Sequence, residues 1–498
     1  MRQVQRALRD PAAAQERLLL DLVRKARKTE WGRRHDFGAI RSAKEFQRAV
    51  PLNRYEDLAP LWHRAFDGDR DVTWPGHIKY FALSSGTTAG DSKALPVSAD
   101  AIQRNLRAGA TLVALCERQA GDGALTRGNV LYLGGCTELE RRGACWQGDA
   151  SGINAANIPR WVRRHRLPAP DVAAIKDWEA RVDAICDRHL DTPVRAIVGL
   201  PSWTLILFHR LLDAARERHG SAARTVADVW PRLGAFVNFG MAFEPYRDQF
   251  EELVGRPIPV IDTYSSSEGG LNAVQSEQGD PGMLLELDTT AFYEFVLPDE
   301  LEGDGPTRLT LGQVETDVDY ALLLSTPSGI WSYDVGDVVR FTSLDPPKLV
   351  VTGRTRLALN VFGEHVIQEN VEEALVAARE AVGAEVTEFT VGTEPPSSGD
   401  PRGRHVWMVE FARDVPPLGR FAAELDDRLA RQSLDYKTHR DGDISMLAPA
   451  VEAVEPGTFY EWARRHGALG GQHKVPHIAR SGEMIDELRR ISAELAGR

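Results

Sequence analysis

Pro259-Val260-Ile261-Asp262-Thr263-Tyr264-Ser265-Ser266-Ser267-Glu268-Gly269-Gly270 is an apolar run that stops abruptly in hydroxyls, a carboxylate and two glycines. The apolar half reads as a strand. Comparable runs at 130–133, 194–199 and 235–240 alternate with helical stretches at 172–188 and 205–218, the rhythm of a layered α/β domain with at least partly parallel sheets. In such a domain ligands sit at strand ends. Hydroxyls next to a carboxylate there can hold a phosphate and a magnesium ion together, because hard cations take oxygen ligands and share them with substrate phosphates. Taken alone, the segment reads more readily as a helix start, with Ser266 or Ser267 as the cap and Glu268 in the first turn.

Outward from this stretch, helical spacing predicts amphipathic helices over 14–28 and 43–48. Between 282 and 353 the texture becomes β-rich, with strands expected at 291–297, 320–325, 335–342 and 349–352, an antiparallel subdomain. Beyond Gly353-Arg354 a smaller α/β unit follows: a helix over 368–380, strands at 385–391 and 406–411, a Pro/Gly/Ser-rich loop between them, and a helix over 420–431. The expected division is a large domain, 1–355, and a small one, 356–498.

Bulk properties narrow the function classes. The 498 residues are 43% hydrophobic and 27% charged, an ordinary globular balance, and the formal charge is −12. An acidic surface repels phosphate backbones, so nucleic acid is not an expected partner; the basic stretch at 160–166 reads as a solvated helix face. Four cysteines without metal-pair spacing read as thiols in a reducing compartment. Lacking a signal-type stretch or a run of about 20 apolar residues, the chain is expected in the cytoplasm, off the membrane, as a monomer or dimer.

Three further segments carry chemistry. Ser84-Ser85-Gly86-Thr87-Thr88-Ala89-Gly90, closed by Lys93, follows a strand expected at 78–83 and precedes a helix expected at 99–116. Small residues let backbone N–H groups approach an anion, hydroxyls add donors, and Lys93 adds a mobile charge. It departs from the P-loop pattern, since Lys93 stands three residues after Gly90 and Ala94 follows it; a surface turn is the other reading. In Tyr333-Asp334-Val335-Gly336-Asp337 an acidic residue beside glycine can accept ribose hydroxyls, or the segment is a plain β-turn around Gly336. In Gly470-Gly471-Gln472-His473-Lys474-Val475-Pro476 a lysine on a glycine-flanked loop can neutralise a phosphoryl or carboxyl oxygen, or is merely solvated.

The order of these parts resembles the auxin-responsive-promoter family of acyl-acid amido synthetases, within the adenylate-forming superfamily. The likeness runs from about Val50 to His477: the lead-in from Val50-Pro51-Leu52-Asn53-Arg54 to Pro60, the loop from Ser84 to Lys93, Tyr264 to Glu268, Tyr333 to Asp337, Pro456-Gly457-Thr458-Phe459, and Gln472-His473-Lys474-Val475-Pro476-His477. It implies ATP and Mg2+ as cofactors, with a carboxylic acid and an amine, such as an amino acid, as substrates. Ser84, Ser85, Gly86, Thr87, Thr88 and Lys93 would meet the phosphates. Tyr264, Ser265, Ser266, Ser267 and Glu268 would hold the nucleotide and its magnesium, Gly240 and Met241 the adenine side, and Asp337 the ribose. Arg354, at the domain boundary, would also bind the nucleotide, as would Lys474, which would act on the phosphate or acyl oxygen from a mobile C-terminal domain. Catalysis would fall to Lys474 and Glu268, and the metal to Glu268. Asn154, Trp203 and Phe239 would border the acyl acid, and Val451 and Val454 the amino acid.

Thr88 stands where plant members carry Ser, His473 and His477 replace Tyr and Arg, and the chain is shorter than the plant enzymes. The implied reaction has two halves, acyl-adenylate formation with release of pyrophosphate, then amide formation with release of AMP. A rival within the superfamily is an acyl-CoA ligase, and a rival outside it is a catalytically silent acid- or nucleotide-binding protein.

Overall fold

In the computed structural model, residues 2–84, 93–121, 123–220, 223–240, 243, 246–301, 303, 305–354, 358–396, 400, 402–443, 445–466, 475–479 and 482–497 are described. The chain forms two compact units, the first built from Met1–Ser84, Lys93–Phe243 and Phe250–Thr355, the second chiefly from Arg356–Arg498.

The first unit is organised around an 11-stranded sheet. One half is parallel: Arg166–Leu167, Asn129–Leu133, Val194–Gly199, Ala235–Phe239 and Val260–Ser266 run side by side. Parallel strands need crossovers. Trp178–His189, Pro201–His219 and Arg247–Val254 are among the helices that supply them. Sequences such as Ala235-Phe236-Val237-Asn238 are buried along their whole length, as expected of strands covered on both faces.

At the turn after Ser266 the chain doubles back into Gly270–Gln275, and from there the sheet is antiparallel through Met283–Leu285, Pro347–Arg354, Ile330–Leu344, Asp319–Thr326 and Phe292–Val296. The β-rich region is thus antiparallel, as its texture predicts, but it is the second half of one continuous sheet. At one edge lies the two-residue strand Arg166–Leu167; at the other, Phe295 exchanges two backbone hydrogen bonds with Leu309, at 2.9 and 2.7 Å. A smaller sheet joins Lys93–Val97, Tyr80–Ser84, Cys145–Gly148 and Glu140–Arg142.

The amino-terminal helices dock on the sheet through polar and aromatic groups. Helix Pro11–Ala26 starts where the Asp10 carboxylate accepts the Ala13 N–H. From it the buried Gln15 amide donates to the carbonyls of Leu287 and Ala291 and accepts the Tyr293 N–H. Trp331, fully buried, has ring centroids of Phe37, Phe46 and Trp74 within 4.8, 6.2 and 6.1 Å, and its indole donates to the Thr73 carbonyl at 3.2 Å. Beside it the Glu294 carboxylate is wholly buried, accepts the Ser332 hydroxyl and lies 3.6 Å from the Arg308 guanidinium.

The second unit has a three-stranded sheet, Val386–Glu394, Arg404–Phe411 and Ala450–Val454, with helices Gln368–Val382 and Leu418–Gln432 packed together. Phe389, Val391, Trp407, Phe421, Leu425 and Leu429 form its core. Glu364 and His405 pair there at 3.0 Å with no exposure, and the imidazole holds the carboxyl below its usual range despite burial. Among the described residues no helix is long and apolar enough to cross a membrane.

Trp331→Ala should empty the space between the amino-terminal helices and the sheet, with a cost of about 3–5 kcal/mol. Chemical denaturation followed by fluorescence of the remaining tryptophans should show a matching loss of stability in the first unit.

Candidate functional site

The parallel strands end level with one another. Leu133 is in register with Gly199, Gly199 with Asn238, and Phe239 with Thr263. Their carboxyl ends form the edge along which open α/β sheets bind ligands. The Val260–Ser266 strand continues past this line into the hydroxyl-rich turn. The turn is a hairpin rather than a helix start: Ser266 Oγ accepts the Gly269 N–H at 3.0 Å and the Asn272 amide at 3.2 Å. Gly270 has φ +74°, and a Cβ there would lie 2.8 Å from Asn105 Oδ1. That approach lets Asn105 accept the Leu271 N–H at 3.1 Å and donate to Asn154 Oδ1 at 3.4 Å.

A second link joins the hairpin to the Gly-Asp segment. Tyr264 Oη donates to Asp337 Oδ2 at 2.6 Å, and both residues are only 7% exposed. Gly336 lies within the long Ile330–Leu344 strand, not in a turn between strands. The register with Asp319–Thr326 slips there, from Val338 opposite Ala321 to Asp334 opposite Leu323. Gly336, with φ +82°, absorbs the resulting bulge, and its N–H is bound by Asp334 Oδ1 at 2.9 Å. The bulge re-aims Asp337 towards Tyr264. Across the sheet Asp337 is in register with Arg354.

The third approach is electrostatic. Burial, and after it the charges of Glu268, Asp334 and Glu56, raise the Tyr333 phenol well above its ordinary pKa. Tyr333 therefore lies close enough to Glu268 for the carboxylate charge to act on it. Lys93, at the foot of the first loop and in register with Ser84, has its ammonium 5.2 Å from the Tyr55 ring centroid. Tyr55 is also among the groups acting on Tyr333. Hence Lys93, Tyr264, Ser266, Glu268 and Asp337, far apart in sequence, occur in one neighbourhood, with Asn154 joined to it through Asn105.

The remaining candidates are distributed differently. Gly240 has φ +81°, and a Cβ on it would meet Leu200 Cδ2 at 3.1 Å. Phe239 stacks on Tyr132 with centroids 6.1 Å apart, and the Arg166 guanidinium is 4.6 Å from the Tyr132 ring. Trp203 packs on Trp178 at 4.5 Å. In the second unit Val451 and Val454 lie in register with Trp407 and Glu410; Val454 is core, grouped with Met408, Phe459 and Leu488. Ser85, Gly86, Thr87, Thr88, Met241 and Lys474 fall outside the described residues, as do the side chains of Ser84 and Arg354.

Among the described residues no three His, Cys, Asp or Glu side chains form a metal cage. A single carboxylate with neighbouring hydroxyls still suits magnesium, which is held through one or two carboxylates plus substrate phosphates. The donor set at Glu268 fits that ion.

Asn105, Asn272 and Glu286 escape a reading by motif. Asn272 had a signal, a polar residue inside the otherwise apolar Leu271 to Val274 stretch, fully buried in the structure. Glu286 donates its N–H to the Asn272 carbonyl at 2.8 Å, and its carboxyl accepts the Thr289 hydroxyl at 2.8 Å. Burial pushes this carboxyl up to about 7, against the lowering effect of Thr289.

Family models match residues 1–181 (GH3 family N-terminal domain), 284–354 (GH3 family central domain) and 369–483 (GH3 family C-terminal domain). An indole-3-acetic acid-amido synthetase, GH3.8, of Oryza sativa subsp. indica is 24% identical, with 96% of this chain and 89% of that protein covered. The solved structure of the GH3.15 acyl acid amido synthetase superposes with a TM-score of 0.60 at 18% identity, covering 98% of this chain and 96% of that one. A 2-hydroxyisobutyryl-CoA ligase with 2-HIB-AMP and CoA, in its thioesterification state, gives 0.58 at 15% identity over 97% and 93%.

The Glu286 carboxyl gives a pH signature. Its folded pKa of about 7 lies above the unfolded value near 4.5, so the folded chain binds more protons between the two. The contribution of this group is full below pH 4.5 and is lost as pH rises to 7, on the order of 3 kcal/mol. Denaturation midpoints between pH 4.5 and 8 should carry that slope, and Glu286→Gln should remove it.

Proposed function

The chain belongs to the GH3 family, and from that premise we propose that it is an ATP-dependent acyl-acid amido synthetase. It joins a carboxylic acid to an amine, an amino acid by preference, through an acyl-adenylate. The observation that carries this reading is the 2.6 Å hydrogen bond from Tyr264 to Asp337. It unites the hydroxyl-and-glutamate strand end with the Gly-Asp bulge, the two halves of a nucleotide site separated by 73 residues.

In the first half-reaction a substrate carboxylate oxygen attacks the α-phosphorus of ATP, the bond to the bridging oxygen breaks, and pyrophosphate leaves. Asp337, held in one orientation by Tyr264, accepts the ribose hydroxyls. The strand-end hydroxyls and the first loop orient the phosphates. Glu268 would hold Mg2+, which supplies charge neutralisation on the phosphate oxygens. Lys474 stabilises charge on the phosphoryl or acyl oxygen. In the second half-reaction the amine nitrogen attacks the acyl carbon, the amide forms, a proton leaves the nitrogen, and AMP departs with the electron pair of the broken acyl–phosphate bond.

Asn154 and Phe239 border the acyl acid along the strand ends, and ATP as co-substrate puts the work in the cytoplasm. A CoA thiol in place of the amine is the alternative acceptor, and the shared fold of the CoA ligase does not separate the two.

Exchange of labelled pyrophosphate into ATP across a library of carboxylic acids should identify the first half-reaction, and a panel of amino acids against CoA the second. Acid-dependent exchange should fall by about 10²-fold or more in Lys474→Ala and in Glu268→Ala combined with Asp337→Ala. Exchange that survives the double substitution would show the site to be misassigned. CoA-dependent AMP release without amide product would move the protein to the thioester branch.

A further inference from the structure

One group of buried donors near the strand ends has no acceptor. Arg181 is 6% exposed and Trp178 7%, yet Arg181 Nε and Nη1 and Trp178 Nε1 have no hydrogen-bond partner among the described residues. The same holds for the buried Ser151 Oγ. A guanidinium withdrawn from water without a partner is costly, and native structures pair such charges or leave them for a ligand. Every orphaned atom here can donate; none is a carbonyl or carboxylate. What these atoms lack is an acceptor within bonding distance: the Asp149 and Asp177 carboxylates act on the guanidinium without bonding its Nε or Nη1.

Its position ties it to the acyl side of the candidate site. Trp178 and Arg181 occupy the first turn of helix Trp178–His189, which feeds the Val194–Gly199 strand. The guanidinium is 5.1 Å from the Trp178 ring, and Trp178 packs on Trp203 at the start of the next crossover helix. The loop leaving Leu133 is pinned to the same region: Thr137 N–H donates to the Ala173 carbonyl at 3.0 Å, and Lys176 pairs with Glu138 at 3.1 Å. Gly135 in that loop permits a close approach, since a Cβ would stand 2.4 Å from Asp149 Oδ2 and 3.3 Å from Ser151 Oγ. Asp149, Asp177 and Cys136 are the groups near enough to act on the guanidinium, but burial outweighs them and lowers its pKa. Asp177 accepts the Ala180 N–H as helix cap. Ser151 lies three residues before Asn154 on helix Ala150–Asn157, so the two share a face. Asn154 in turn reaches the hairpin through Asn105.

We propose that Arg181, Trp178 and Ser151 form a subsite for a second carboxylate on the acyl substrate, so that the preferred acid is a dicarboxylate whose distal group is bound here while its other carboxyl is adenylated. This rests on the amido synthetase reading for the adenylation, but the binding itself can be measured without it. A neutral acyl chain would leave the donors buried and unpaired, and sites built to bond a polar group discriminate strongly against analogues that lack it.

Titration calorimetry of the full chain with matched pairs, adipate against hexanoate and isophthalate against benzoate, tests the subsite. The diacid of at least one pair should bind about tenfold tighter or better, a ratio that should collapse towards one in Arg181→Met and recover in part in Arg181→Lys. Without ligand, Arg181→Met should melt no lower than the parent, because an unpaired buried charge has been removed. Absence of a diacid preference in both pairs, a preference that persists in Arg181→Met, or a large fall in melting temperature on that substitution would each overturn the proposal. Pyrophosphate exchange with the same acids separates the two levels: diacid binding without exchange would count against the adenylating reading while the subsite stands.

Discussion

The hydrogen bond between Tyr264 and Asp337 fixes the relation between two differently built halves of one sheet. On one side are parallel strands whose loops open at their carboxyl ends. On the other are antiparallel strands, joined partly by short turns and partly by long-range pairing such as that of Met283–Leu285 with Pro347–Arg354. The hairpin at Ser266 to Gly270 is where one becomes the other, and Tyr264 reaches across from it to a bulged strand that is not its neighbour. A short bond between two almost wholly buried groups is poorly exchanged for bonds with water, so it holds the bulge and the hairpin in one relative position. The nearby placement of Glu268, Tyr333 and Lys93 depends on that frame.

Much of the architecture was legible because the hydrophobic pattern carried it. Strands at 194–199 and 235–239 and the helix at 201–219 follow from continuous apolar runs and 3.6-residue spacing. The helix expected at 172–188 is instead two, Pro170–Ala173 and Trp178–His189; the intervening Ala174-Ile175-Lys176-Asp177 contains no glycine or proline to mark the break. That the β-rich region continues the parallel sheet was not legible, because pairing between Met283–Leu285 and Pro347–Arg354 is long-range and leaves no local mark. Gly336 shows the same limit at the site: a Gly-Asp pair reads as a turn, and only the register of a neighbouring strand makes it a bulge.

Site residues divide along similar lines. Ser, Gly, Glu and Asp at strand ends announce themselves by type and order, and the resemblance to a family implied the roles proposed for them. Asn105 does not, since a lone amide in a helix has no signature until its partners are known, and Asn272 marks itself only as a polar break in an apolar strand. Arg181 was passed over for the reverse reason. In sequence it is one charge in a mixed helix; in the structure it is an enclosed cation whose neighbours cap, pack or act at a distance without bonding two of its nitrogens. The buried charges of Glu294 and Glu364, by contrast, have arginine and histidine partners, and read as internal fastenings.

The two edges of the large sheet matter for the life of the chain outside its fold. An edge strand is an invitation to another chain, since its free backbone groups can template further pairing. Here one edge is a two-residue strand that begins with an arginine, too short to seed a ladder, and the other has Phe295 already engaged by Leu309. An 11-stranded sheet with long open edges would otherwise offer a template for pairing with other chains. Limiting both margins with so little backbone leaves the strand ends open while the lateral edges offer little to copies of the chain.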